Sequence, residues 1–348
     1  MSCKTMQPKI KRIVIPGILK IVFFAVAFFV IIGITKMILW SQSFMRTTGL
    51  TPVAIFRLLV NTGVDLKSHE GRTNILLLGI GGGTHAGADL TDTILVVSLE
   101  TSQKKMAMIS VPRDIWSDTL KDKVNSAYHY GEVKKKGGGL TLAKVIVEDM
   151  VGLPIHYVLL IDFSGFEYLI DAVGGIDIAV PQAFTDTEFP VAGRENDRCD
   201  GDPDFRCRYE SVTFAQGPQH MNGERALMYV RSRHAQGEEG SDFARGRRQQ
   251  EVLAALLARI KSPDVWTNPA RIRELFGAFD RATTTDMRFG ELATVGKALI
   301  GREGVQTKRI SFEKYLDSPP LWMYGRYTLV PKENFQVIHE YIKTSLDK

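Results

Sequence analysis

Tyr157-Val-Leu-Leu-Ile-Asp-Phe-Ser-Gly-Phe-Glu-Tyr-Leu-Ile-Asp-Ala-Val-Gly-Gly-Ile-Asp-Ile-Ala-Val180 changes its period twice within one short stretch. Residues 157–161 are a continuous apolar run, 163–172 repeat apolar side chains at helical spacing, Gly174-Gly175 stops that helix, and 176–180 is a second strand. Working outward, 74–80 is another unbroken apolar run ending in glycines, the pattern of a strand buried on both faces. Residues 93–99 and 105–111 read as two further strands joined by Thr101-Ser102-Gln103, hence a hairpin, and Gly137-Gly138-Gly139 precedes an amphipathic helix over 140–150. The alternation predicts an α/β fold, a three-layer-like α/β/α sandwich with a mixed central sheet. Downstream the spacing predicts a turn-rich insertion over 181–221, a helix over 222–229, a polar loop over 232–240 and a long helix over 242–261. In the remainder, 263–348, helices fall near 269–280 and 289–300, a strand at 309–312 and a last helix from Lys332.

The 348 residues are 44% hydrophobic and 24% charged, the composition of a chain able to bury a core. A net charge of +5 raises the question of nucleic acid. Lys4, Lys9, Lys11, Arg12, Lys20 and Lys36 lie among the first residues without a single acid, however, and the rest of the chain is nearly neutral. The basic balance therefore belongs to the N-terminus, and no nucleic-acid partner is expected. Residues 13–40 are apolar apart from Lys20 and Lys36, long enough to span a bilayer with both lysines reaching for headgroups. The expected layout is a cytoplasmic stub at 1–12, one transmembrane helix at 13–40, a juxtamembrane linker at 41–71 and an extracytoplasmic domain at 72–348, placed outside the cell membrane by the basic flank. A cleaved signal peptide is the rival, and no small-residue cleavage pattern follows Trp40.

Cys3 lies in the stub, whereas Cys199 and Cys207 sit eight apart in a polar loop. Outside the cell these two are expected to pair, two free surface thiols being the alternative. Without neighbouring histidines they make a poor zinc site.

The densest unusual feature is Arg231, Arg233, Arg245, Arg247 and Arg248, followed by Gln249 and Gln250. If the chain is extended after Tyr229, Arg231 and Arg233 point the same way. Arg245, Gln249, Val252 and Leu256 share one helix face, which turns Arg245 and Gln249 inward, where a guanidinium needs an anion. Either Glu238, Glu239 and Asp242 supply that anion, or several forks converge on a phosphate. Arg247 and Arg248 face elsewhere, and at least one is expected to be a solvated surface charge. The second feature is the turn Gly79-Ile-Gly-Gly-Gly83, followed by Asp89 and by Asp92 at the start of a strand. It lacks Gly-Lys-Ser/Thr and a G-x-G-x-x-G fingerprint, which excludes a nucleotide loop. Asp92 is either an ordinary turn acceptor or a hard carboxylate suited to magnesium beside a phosphate. Nothing resembles a serine nucleophile elbow.

Asn74-Ile-Leu-Leu-Leu-Gly79, Asp92-Thr93, Ser110-Val-Pro-Arg-Asp114, Lys123-Val-Asn125, Gly152-Leu-Pro-Ile-His-Tyr157, Asp162-Phe-Ser-Gly-Phe166, Val173-Gly-Gly-Ile-Asp177, Tyr229-Val-Arg-Ser-Arg233 and the run from Asp242 to Gln250 resemble LytR-CpsA-Psr catalytic domains in order and spacing, over about 72–262. The resemblance implies a phosphoglycosyl transferase that moves a glycopolymer from a polyprenyl-pyrophosphate carrier to a peptidoglycan acceptor. It implies that Arg113, Arg231, Arg233 and Arg245 with Gln249 hold the pyrophosphate, that Lys123 lies near the head group, and that Asp92 binds magnesium or manganese. Gly81 stands where the family usually has an aspartate and Leu90 where it usually has an arginine, so Asp89 is the substitute carboxylate for the metal. A polyprenyl-pyrophosphate hydrolase and a non-catalytic lipid-glycan binding or regulatory protein are the alternative readings.

Overall fold

The computed structural model describes residues 28–36, 38, 39, 42, 64–82, 87–100, 105–194, 196–300 and 306–347. It divides into two units, Met1–Asn61 and Thr62–Lys348. In the first, Phe28 to Lys36 are helical with exposed apolar side chains, and most of the expected span at 13–40 lies outside the described residues. Among the described residues no helix is long and apolar enough to cross a membrane.

The second unit is a mixed α/β fold. Its strands are β1 (Arg72–Ile80), β2 (Thr91–Glu100), β3 (Lys105–Ser110), β4 (Tyr157–Asp162), β5 (Ile176–Val180), β6 (Phe184–Pro190), β7 (Tyr209–Phe214), β8 (Gly217–Met221), β9 (Thr283–Thr285) and β10 (Gln306–Ile310). Its main helices are α1 (Ala127–Lys134), α2 (Gly139–Val151), α3 (Phe163–Ala172), α4 (Gly223–Arg231), α5 (Asp242–Lys261), α6 (Pro269–Ala282), α7 (Phe289–Ile300) and α8 (Phe335–Asp347). Six strands form the central sheet in the order β9-β4-β1-β2-β3-β10. β1 runs parallel to β4 and antiparallel to β2, and β3 antiparallel to β2 but parallel to β10, so the sheet is mixed.

Alternation along the strands sends neighbouring side chains to opposite faces. Leu76, Leu78, Val96 and Ile109 pack with Ile146 and Met150 of α2 and Ile338 and Ile342 of α8. Ile75, Val97 and Met108 pack on the other side with Leu253 and Leu257 of α5 and Val295 of α7. Burial on both faces is why β1 carries no polar alternation. Helix starts are fixed locally: Asp162 accepts from the Gly165 N–H ahead of α3, Asn222 from Arg225 N–H ahead of α4, and Ser241 from Ala244 N–H ahead of α5.

Two expectations need correction. The 181–221 stretch is not only turns: β6 pairs with β7, β8 pairs with β5, and Phe184, Phe189, Val212 and Phe214 enter a second apolar cluster beneath α4. The chain is also not extended from Tyr229 onward, because α4 continues through Arg231 and the chain leaves the helix only at Ser232. At the C-terminus β10 begins earlier than 309 and α8 later than 332.

Candidate functional site

The ends of β1, β3 and β4 and the start of β2 meet at one edge of the sheet. Gly79 lies opposite Thr93, Leu95 opposite Ser110, and Ile80 opposite Asp162. Ligands of α/β sheets characteristically bind at the carboxyl ends of strands, where loops can close over them. Gly79 must be glycine because a Cβ there would lie 2.9 Å from the Cβ of Thr93. Gly82 has φ +70° and faces Asp162, whose Cβ would be 3.0 Å from an added methyl, so backbone and a carboxylate are brought together without a side chain between them.

A line of alternating charge runs along this edge. Asp92 is ion-paired to Arg113, the Arg113 Nε lies 3.4 Å from Asp114 Oδ2, and Lys123 Nζ donates to Asp114 Oδ1 at 2.5 Å. Asp114 is buried between two cations, which offset the cost of burying a carboxylate, and it in turn holds their charged ends. Backbone contacts hold the line in register: Asn125 N–H donates to Arg113 O at 3.3 Å, and Thr91 Oγ1 donates to Asn125 O at 3.2 Å. Asp89 lies beside this line, 2.7 Å from Nδ1 of His129.

α5 docks on the same edge. Gln249 Nε2 donates to Thr93 Oγ1 at 2.7 Å and Gln250 Nε2 to Ser110 Oγ at 2.9 Å. One turn before Gln249, Arg245 is 5% exposed, in keeping with an inward face. From α4, Arg231 lays its guanidinium over Phe163 at 4.4 Å and over Phe189 at 5.2 Å. Phe163 directly follows Asp162, so this arginine belongs to the same edge. The two rings restrain where the guanidinium lies, and a planar fork of this kind suits an oxyanion. Glu167, one turn along α3 from Phe163, also feels Arg231. Burial, Glu224 and Asp171 raise its carboxyl above the ordinary glutamate value, and Arg231 opposes them. Arg233 is exposed, and its backbone is held by Asp186, which accepts from Arg233 N–H at 2.8 Å and His234 N–H at 3.3 Å.

Neither Arg247 nor Arg248 is a solvated surface charge. Arg247 pairs with Glu239 and lies 3.8 Å from Glu251. Arg248 is 0% exposed: its Nε donates to Tyr229 O at 2.9 Å, Nη1 to Glu239 O at 2.9 Å and Oε2 at 3.0 Å, and Nη2 to Ser232 O at 2.5 Å. One guanidinium thus ties α5 to the end of α4 and the loop after it, the elements that carry Arg231, Arg233 and Arg245. Reading the residues alone named Arg248 and Asp114 but missed their buried pairing, and it missed Asp186, His129 and the two rings under Arg231. Only Arg248 left a signal, since Ala244, Arg248 and Val252 recur every four residues on α5 and all are buried.

Cys199 and Cys207 are joined, with Cα atoms 5.5 Å apart, and close the loop between β6 and β7. Non-reducing mass mapping of the isolated protein is expected to return the two cysteines in one linked fragment; two alkylatable thiols would contradict it. Among the described residues the grouping of three metal-donor side chains is Asp197 with these same two cysteines, whose sulfurs the disulfide occupies.

The family model described as the LytR_cpsA_psr family matches residues 56–340. The chain belongs to the LytR-CpsA-Psr family. Among its relatives is the polyisoprenyl-teichoic acid–peptidoglycan teichoic acid transferase TagV of Bacillus subtilis (strain 168), 32% identical over 240 residues, which are 67% of this chain and 54% of TagV. Biofilm regulatory protein A of Streptococcus mutans is 27% identical over 245 residues, 68% of this chain and 55% of that protein. This LytR-CpsA-Psr chain spans about half the length of the curated relatives it matches. The crystal structure of B. subtilis TagV superposes with a TM-score of 0.57 at 27% identity, covering 80% of this chain and 99% of that one. A structure of TagT bound to LI-WTA superposes with a TM-score of 0.54 at 22% identity, covering 82% and 96%, and shares the fold.

Proposed function

We propose that this chain is a membrane-anchored phosphoglycosyl transferase: a hydroxyl of the peptidoglycan acceptor attacks the sugar-proximal phosphorus of a polyprenyl-pyrophosphate-linked glycopolymer, and polyprenyl phosphate leaves. The observation that carries this reading is the set of cationic groups at one sheet edge, with Arg231 stacked between rings, Arg245 turned inward on α5, and Arg113 and Lys123 fixed by a buried aspartate. Phosphoryl transfer asks the protein chiefly for positioning and for charge to meet the developing oxyanions, and preset arginine forks supply both. TagV and TagU relatives, named as teichoic acid–peptidoglycan transferases, support the donor and acceptor classes.

Asp92 is partly exposed and shares one oxygen with Arg113, which leaves carboxylate surface for a cation. That fits magnesium or manganese, which take one or two carboxylates and complete their shell with water and phosphate oxygens. When bound, the ion would neutralise charge on the pyrophosphate. Asp89 is a second candidate donor, although His129 already occupies one of its oxygens. The proton of the attacking hydroxyl goes to a carboxylate, Asp92 or Asp89.

Asp92→Asn is expected to lower turnover by roughly a hundred-fold or more and to weaken the magnesium dependence of what remains. Turnover measured against magnesium concentration reads both, and an unaltered magnesium curve would remove Asp92 from the metal site. The anchor is tested separately: with residues 1–12 cytoplasmic and the domain outside, protease added to intact spheroplasts should remove the domain. Protection there, with cleavage in inverted vesicles, would reverse the topology.

A further inference from the structure

The segment Pro319-Pro-Leu-Trp-Met-Tyr-Gly325 contains no charged or amide side chain. Its centre is nevertheless held out to solvent: Leu321 is 62% exposed, Trp322 80% and Met323 51%. The tip is firmly built. Leu321–Tyr324 makes one helical turn, Gly325 N–H closes it on Leu321 O at 2.7 Å, and Gly325 takes φ +71°. Tyr324 packs on Trp116 with ring centroids 4.7 Å apart, Arg326 donates to Asp122 at 2.9 Å, and Leu329 N–H donates to Asp114 O at 2.9 Å.

Those contacts mount the tip on 114–123, the segment that carries Asp114 and Lys123 of the candidate site. Lys123 Nζ itself lies 6.0 Å from the ring centre of Tyr327, an exposed aromatic at the foot of the tip. The exposed cation Arg326, paired with Asp122, directly precedes Tyr327 in sequence, and Lys121, paired with Asp118, lies on the 114–123 segment.

We propose that Leu321, Trp322 and Met323 form a wedge that rests in the interface of the lipid bilayer and holds the sheet edge at the depth of a lipid-borne pyrophosphate. This deepens the transferase reading and rests on it for the substrate. Three large apolar side chains exposed together on a rigid turn bring no folding benefit; their hydration is relieved by acyl chains, while the tryptophan N–H and the neighbouring cations suit headgroup level. A glycan strand is the poorer occupant, because a sugar-binding ring needs several hydrogen-bonding side chains around it and 319–325 offers only the Trp322 N–H and the Tyr324 hydroxyl. A bilayer also accounts for the location, since a polyprenyl carrier stays in the membrane and its pyrophosphate must be met there.

The test uses the full chain reconstituted in phosphatidylglycerol–phosphatidylcholine vesicles, with and without bromine on the acyl chains. The fluorescence of wild type minus that of Trp322→Phe isolates Trp322. Bromine is expected to quench this difference about two-fold or more, as for an interfacial indole. An unquenched difference would overturn the wedge. So would a difference that responds to soluble peptidoglycan fragments but not to bromine, or a dimer in detergent that Leu321→Ser/Met323→Ser abolishes. In turnover, Leu321→Ser/Met323→Ser should raise KM for a vesicle-borne long-chain donor about tenfold with kcat unchanged, and leave a short-chain water-soluble donor unaffected. An equal KM for wild type and double variant on the vesicle-borne donor would also overturn it. If wild type turns over neither donor, the transferase reading fails, while the quenching still reports whether the tip meets lipid.

Discussion

Replacing Arg231, Arg233 or Arg245 singly by alanine is expected to reduce lipid-pyrophosphate binding or turnover by roughly ten- to a hundred-fold, because each removes a charge-assisted contact worth about 1.5–3 kcal/mol. Acting on one anion, they should be non-additive, with a double variant losing less than the two singles combined. Arg231 has the clearest placement, its guanidinium lying over the rings of Phe163 and Phe189. Arg231→Lys should therefore recover little, since an ammonium keeps the charge but neither stacks nor forks. Arg247 lies off the Arg245 face but is not a silent control, because it pairs with Glu239. Arg273, exposed on α6, is the better comparison and should retain full activity as alanine. Equal losses for Arg273 and Arg231 would mean that long-range charge, rather than a site, is being measured.

Arg248→Ala is expected to have the largest effect on stability. It removes one of the two guanidinium partners of the buried Glu239, leaving only Arg247, and strands the carbonyls of Tyr229 and Ser232; opening a buried ion pair in this way typically costs about 3–5 kcal/mol. For a unit of this size that is a fall in Tm on the order of 10 °C by thermal unfolding. Arg248→Lys should rescue only partly, because one ammonium cannot reach Tyr229, Ser232 and Glu239 together. An unchanged Tm for Arg248→Ala would show that the network is dispensable. Activity should fall as well, since the bond to Ser232 fixes the turn between Arg231 and Arg233.

The contrast between Arg248 and β1 shows what the sequence made legible. Strands buried on both faces announce themselves as unbroken apolar runs, and 74–80 and 157–161 were readable for that reason; 176–180, which alternates buried and exposed residues, was readable from the glycine stop before it, and α5 was readable from Asp242 to Lys261. β6 and β7 were not, because their outward faces are polar and their inward Phe184, Phe189, Val212 and Phe214 are dispersed among turn residues. Within the candidate site, the residue types and their order were legible, while their partners were not. That His129 faces Asp89 and that Arg231 rests on rings from α3 and β6 are consequences of tertiary proximity across long sequence separations, and that Asp114 fixes Lys123 depends on the turn between them, which charge spacing did not reveal. Glu239 is near Arg248 in sequence, yet charge spacing alone did not reveal that the pair is buried.

The most direct measurement is the rate of polyprenyl phosphate release from a purified polyprenyl-pyrophosphate-linked glycopolymer, with and without peptidoglycan, with the wall product analysed for a phosphodiester-linked glycan. Transfer predicts release that depends on peptidoglycan and matches the glycan joined to it mole for mole. Release at the same rate in water alone, with no glycan on the wall, would contradict it and make the chain a hydrolase.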